Sequence, residues 1–102
     1  MNPPTLDEAN LAVTEAILEA ERNPCDHTWQ VVANCESQLA DLLPGNTLEG
    51  ALARSGAVQA CIKGNRPTLA FALYTQYVTD PSVGESLRQR LFAHLLLSDM
   101  RP

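Results

Sequence analysis

Thr5-Leu6-Asp7-Glu8, followed by Ala9-Asn10-Leu11-Ala12-Val13-Thr14-Glu15-Ala16-Ile17-Leu18-Glu19-Ala20-Glu21-Arg22, decides the fold class. A hydroxyl three residues before a carboxylate is the capping-box pattern, in which the two side chains satisfy orphan amides at a helix start. Behind it, Leu6, Ala9, Ala12, Val13, Ala16, Ile17 and Ala20 recur at spacings that place them on one wide helical face, predicting a helix over 6–23. Alanine on that face lets a neighbouring helix come close. Leu11 and Leu18, seven apart, stand opposite it among Asp7, Glu15 and Arg22. A second apolar stripe on a polar face points to a contact beyond the helix's own core packing.

The same punctuation continues along the chain. Pro24, Pro44-Gly45, Gly56, Gly64, Pro67 and Pro81 fall where helices should break, and Ser82-Val83-Gly84-Glu85 repeats the capping box. Asn23-Pro24 ends the first helix, and Asp26 or a neighbour caps a second over about 27–43. Trp29, Val32, Ala33, Leu39, Ala40 and Leu43 line its buried face, with Val31, Cys35 and Leu42 at the edge. Asn46 or Thr47 starts a shorter helix near 48–55, which Gly56 interrupts. Residues 57–63 then form another turn or two, ended by Gly64-Asn65. Over 68–78, Leu69, Leu73 and Tyr77 have helical spacing, while Leu69, Phe71 and Leu73 alternate. A helix is the reading there and a strand the alternative. The last helix spans about 83–99, with Leu87, Leu91 and Leu95 as one stripe and Phe92, Ala93, Leu96 and Leu97 around the rest. A helix with so little polar surface is either central in the bundle or buries a second face against another chain, and in so small a domain self-association through Leu87, Leu91, Phe92 and Leu95 is the expectation.

The expected architecture is therefore all-α. It is one domain over 1–102, a bundle of four to five short amphipathic helices, assembled as a homodimer. With 45% apolar and 19% charged residues in 102, the chain is globular rather than disordered. No apolar run approaches the length of a membrane span, and no basic-then-apolar leader opens the chain. Cys25, Cys35 and Cys61 are odd in number and far apart, which argues for small buried hydrophobes in a reducing cytoplasm. The net charge of −5 is uneven: residues 1–54 hold nine acids against two arginines, and residues 55–102 hold five bases against three acids. An acidic front half repels phosphate backbones and suits a partner with a basic patch.

Catalytic and metal motifs are missing from the sequence. Cys25-Asp26-His27 with Cys35 supplies two thiols and an imidazole, short of the four ligands of structural zinc, and His94 or Cys61 adds no defensible spacing. His94, between Leu91 and Leu97, reads as a packing residue. No phosphate-binding loop, dinucleotide fingerprint, zinc-protease helix or nucleophile elbow occurs. Carboxylate pairs such as Asp7-Glu8 are explained by capping and the helix dipole. No enzymatic activity, cofactor or metal is expected. Glu36 is the one carboxylate inside an apolar stripe. It is either a border residue reaching solvent or an acceptor for an arginine, from within the fold or from a partner.

One stretch is similar to a DNA-binding motif. Leu52-Ala53-Arg54-Ser55-Gly56-Ala57-Val58, with Ile62 and Gly64-Asn65-Arg66-Pro67 behind it, resembles the helix-turn-helix of phage repressors over about 16 residues. The resemblance implies a turn at Gly56 and a recognition helix after it. That helix would be about one turn short, with Gln59 as its sole groove-reading candidate and Arg54, Lys63 and Arg66 as the basic contacts.

By elimination, a small acidic helical protein acts by occupying another protein's surface. The leading expectation is a bacterial anti-activator that sequesters a transcription factor by masking its dimerisation or DNA-binding face. Leu11, Leu18, Glu15 and Glu36 would meet that partner, whose surface is basic or apolar. The alternatives are a chaperone or immunity protein capping a secreted or toxic client, and a shortened helix-turn-helix protein.

Overall fold

The computed structural model describes residues 4–81, 83–85, 88, 89 and 93. Four helices order them: α1 (Leu6–Arg22), α2 (Asp26–Leu42), α3 (Leu48–Lys63) and α4 (Pro67–Thr79), with no strand among the described residues.

Local chemistry sets most of the ends. The Thr5 hydroxyl accepts from the Glu8 amide at 3.2 Å while the Glu8 carboxylate accepts from the Thr5 amide at 3.0 Å, so the expected capping box forms. Those bonds hold the Glu8 carboxyl below its ordinary value. At α2 the cap is Cys25, one residue before Asp26, and its amide donates to the Thr28 hydroxyl at 3.1 Å. Thr47 caps α3 by accepting from the Gly50 amide at 3.1 Å. The far end of α3 closes in a Schellman arrangement: Arg66 N–H donates to the Cys61 carbonyl at 2.8 Å and Asn65 N–H to that of Ile62 at 3.1 Å. Asn65 takes the left-handed position, at φ 62°, and the adjacent Gly64 does not. Pro67 occupies the first turn of α4, where its missing N–H costs nothing.

The buried residues fix how the helices run. Ala9 and Val13 at the start of α1 pack with Leu39 and Ala40 near the end of α2, while Ala16 and Ala20 meet Val32 and Ala33. The pair is therefore antiparallel. Gln30 at the start of α2 reaches Gly64 behind α3, and Arg54 early in α3 lies over Tyr77 late in α4. The chain thus runs up, down, up, down, with α2 packed between α1 and α3, and α3 between α2 and α4. Ala20, Ala40 and Ala57 are wholly buried, and among the described residues Val58 and Cys61 are the largest fully enclosed side chains. A core of such small residues brings helix axes close and orders side chains that have little rotamer entropy to lose.

The helical reading of 68–78 holds, and the strand alternative is overturned, because Ala70 and Tyr77, seven apart, both face the core. The break at Gly56 is also overturned: α3 is continuous from Leu48 to Lys63. Gly50, Ala51, Ala53, Arg54, Ser55, Ala57, Val58, Ala60 and Cys61 are all buried along it. A helix enclosed by neighbours on two sides tolerates the roughly 1 kcal/mol cost of an interior glycine. Leu6, expected on the buried face of α1, is exposed, as is Cys25; Cys35 is half-buried and Cys61 buried. Trp29 and Leu43 of the expected α2 face are half-buried. The expected 83–99 helix, the Ser82 cap and the self-association residues Leu87, Leu91, Phe92 and Leu95 lie largely or wholly outside the described residues. Within that stretch Val83 is buried, and Arg88 N–H donates to the Gly84 carbonyl at 3.0 Å. None of the helices described is long and apolar enough to cross a membrane.

Candidate functional site

Two surfaces built by α1 carry the residues singled out above. The first is its outer face. Leu11 and Leu18 are 59% and 53% exposed, and Glu15 beside them is exposed as well. Two turns of helix separate the leucines, so they project the same way, with Glu15 about 40° round from Leu11. This apolar stripe with an acidic border matches the expected one.

The second surface is a groove of about 200 Å³, lined by Ile17 and Glu21 of α1, Trp29, Val32 and Glu36 of α2, and Gly56, Gln59, Ala60 and Lys63 of α3. Glu36 does not share a patch with Leu11 and Leu18. It lies round the flank of α1, with Glu21 standing between stripe and groove, about 60° from Leu18 on the helix. The small surface of Gly56 admits the carboxylate: a Cβ built there would sit 2.8 Å from both Cδ and Oε1 of Glu36. Burial pushes the Glu36 carboxyl up to about 7 from an ordinary 4.5. The described ion pairs are Arg22–Glu19 at 3.1 Å and Arg88–Glu85 at 3.6 Å, so no arginine of the described fold answers Glu36. In the same groove, the Lys63 ammonium lies 4.4 Å from the centre of the Trp29 ring.

The groove was legible only in part. The apolar stripe of α2 marked Glu36, whereas Trp29 was expected in the core and Gly56 at a helix break. Lys63 and Gln59 join the groove because α3 continues past Gly56, which puts both on the side facing α2.

The motif that resembles a repressor's DNA-binding element takes a different form in the structure. No turn exists at Gly56, and Arg54 is 7% exposed. Its guanidinium donates to the Gly50 carbonyl at 3.1 Å and to the Leu43 carbonyl at 3.4 Å, and its Cζ lies 5.5 Å from the centre of the Tyr77 ring. Arg66 donates to the Gln30 side chain at 3.2 Å, and Gln30 in turn donates to the Gly64 carbonyl at 3.0 Å. Arg54 holds the turn between α2 and α3 together and does not face solvent.

Among the described residues, no three His, Cys, Asp or Glu side chains converge where a metal ion could be held. Cys25 is an exposed cap, and hydrogen bonds from the Thr28 amide and hydroxyl hold its thiol below the ordinary value. Burial raises the thiols of Cys35 and Cys61. Comparison with family models, with characterised proteins and with solved structures finds no match to this chain.

Proposed function

We propose that this chain is a small bacterial regulatory protein of the cytoplasm that acts by binding another protein. In this reading it is an anti-activator that sequesters a transcription factor by covering its dimerisation or DNA-binding surface. It works as a homodimer, by occupancy rather than by catalysis. The observation that supports it best is the exposed Leu11–Leu18 stripe on α1, bordered by Glu15. Isolated surface leucines are ordinary, but two aligned on an acidic helix form the kind of face that fits a partner with apolar anchors in a basic setting. The residues that would read DNA in the alternative are partly withdrawn, since Arg54 is enclosed by the fold.

Affinity capture from the lysate of the source organism, with the wild-type chain and with Leu11→Asp/Leu18→Asp, tests this reading. The expected result is a stoichiometric transcription factor recovered by the wild type only. Adding the purified chain should then release that factor from its operator DNA in a mobility-shift assay. Recovery of a secreted or toxic client would replace the anti-activator by a chaperone or immunity role. Salt-sensitive recovery of nucleic acid alone would overturn both.

A further inference from the structure

The groove beside α1 contains chemistry that the leucine stripe does not use. Its walls supply two carboxylates, Glu21 and Glu36, against one ammonium, Lys63, together with the Trp29 ring and the apolar Ile17 and Val32. A half-buried carboxylate costs free energy unless a counter-charge meets it. No described ion pair supplies one here. Lys63 is committed to the face of Trp29, which demonstrates that this ring holds a cation. The groove volume of about 200 Å³ is room for several waters, or for one small planar head group with its stem.

We propose that the groove is a receptor for one guanidinium group on a short apolar stem, the side chain of an arginine presented by the partner protein. Glu36 takes the charge through a bidentate pair, a geometry that suits guanidinium better than ammonium. Ile17, Val32 and the edge of Trp29 cover the stem. The assignment rests on the reading that this chain acts on another protein, and it names what that partner must offer. Glu36 is faced by Glu21 from α1, by Lys63 and Gln59 from α3, and by Cys35 from its own helix. With its carboxyl held near neutrality by burial, docking a cation expels the proton. Affinity therefore rises with pH across the neutral range.

Trp29 is the single tryptophan of the chain, so intrinsic fluorescence reports from inside the groove. The experiment titrates n-propylguanidinium, and separately its neutral isostere n-propylurea, into the full chain. The expected result is a saturable fluorescence change with n-propylguanidinium. Binding should be at least tenfold weaker for n-propylurea and for the Glu36→Gln chain, whose fold is checked by circular dichroism. Lys63→Gln, which removes a like charge, should bind at least as tightly as wild type. Equal binding of the neutral isostere, or undiminished binding by Glu36→Gln, overturns the proposal. If the partner is captured normally but n-propylguanidinium does not bind, the groove assignment fails while the regulatory reading stands. If n-propylguanidinium binds but no protein is captured, the occupant is a free small cation, and the partner's arginine is ruled out.

Discussion

The carboxyl group of Glu36 in α2 rests on the bare backbone of Gly56 in α3, with no room between them for a methyl group. This contact makes the stability of the fold depend on pH. The folded Glu36 carboxyl is raised to about 7 from 4.5. Between those values the folded chain binds a proton that the unfolded chain has released, so the Glu36 contribution to stability falls as pH rises through the window and levels off above it. Each tenfold change in proton affinity is worth roughly 1.4 kcal/mol. Because solvent still reaches part of this carboxylate, about 1–2 kcal/mol is expected rather than the full amount. Urea midpoints of wild type and Glu36→Gln should therefore converge near pH 5 and differ by about that amount near pH 8, with the glutamine variant more stable.

Two glycines of one helix should respond differently to alanine. At Gly56 the obstacle is the end of a flexible side chain, which can swing out. A helix-propensity gain of about 1 kcal/mol then offsets the displacement, leaving Gly56→Ala close to neutral in stability but with a weaker pH dependence. At Gly50 a Cβ would collide with the Pro44 carbonyl oxygen, which belongs to the backbone of the α2–α3 turn. Gly50→Ala should cost about 2–3 kcal/mol in a urea melt. Equal effects at the two positions would show that α3 is not held against α2 as described.

Arg54 is a structural cation. Its guanidinium satisfies the Leu43 and Gly50 carbonyls and covers Tyr77, whose phenol burial raises above its ordinary value. Arg54→Ala leaves those carbonyls without that donor and empties the space over the ring. A loss of about 2–4 kcal/mol is expected by thermal or urea unfolding. Arg54→Lys should recover only part of it, since an ammonium cannot span two carbonyls as a planar fork does.

Leu11 and Leu18 should be nearly silent for folding. Both are more than half exposed, so replacement by Asp changes stability by no more than about 0.5 kcal/mol. Loss of partner capture by a variant with unchanged unfolding midpoint is the signature of a docking face. A variant that unfolds early would mean that the stripe is covered within the fold.

The three thiols should separate by reactivity. Cys25 is exposed at the cap of α2 with its thiol lowered by Thr28, whereas Cys35 and Cys61 are raised by burial. Limiting iodoacetamide at neutral pH should alkylate Cys25 first and Cys61 last, as read by peptide mass spectrometry. Alkylation of Cys61 ahead of Cys25 would contradict the enclosure of α3.

Local features of the chain determined where most helices begin and which face of α1 turns inward. A hydroxyl at Thr5 or Thr47 bonds an amide three residues away, and an apolar spacing of three or four is a property of one helix, so neither needs a tertiary partner to be read. The exposed Leu11–Leu18 stripe was legible for the same reason. Only the tertiary structure decided the fate of Gly56, Arg54 and Glu36. An interior glycine disfavours a helix by about 1 kcal/mol, less than the gain from enclosing α3 between α2 and α4, so the apparent break became a close crossing. Arg54 reads as a surface base until the α2–α3 turn brings the Leu43 carbonyl to it, 11 residues away. Glu36 acquires its raised carboxyl from a groove whose walls come from three helices, a sum of distant burials that no local pattern encodes.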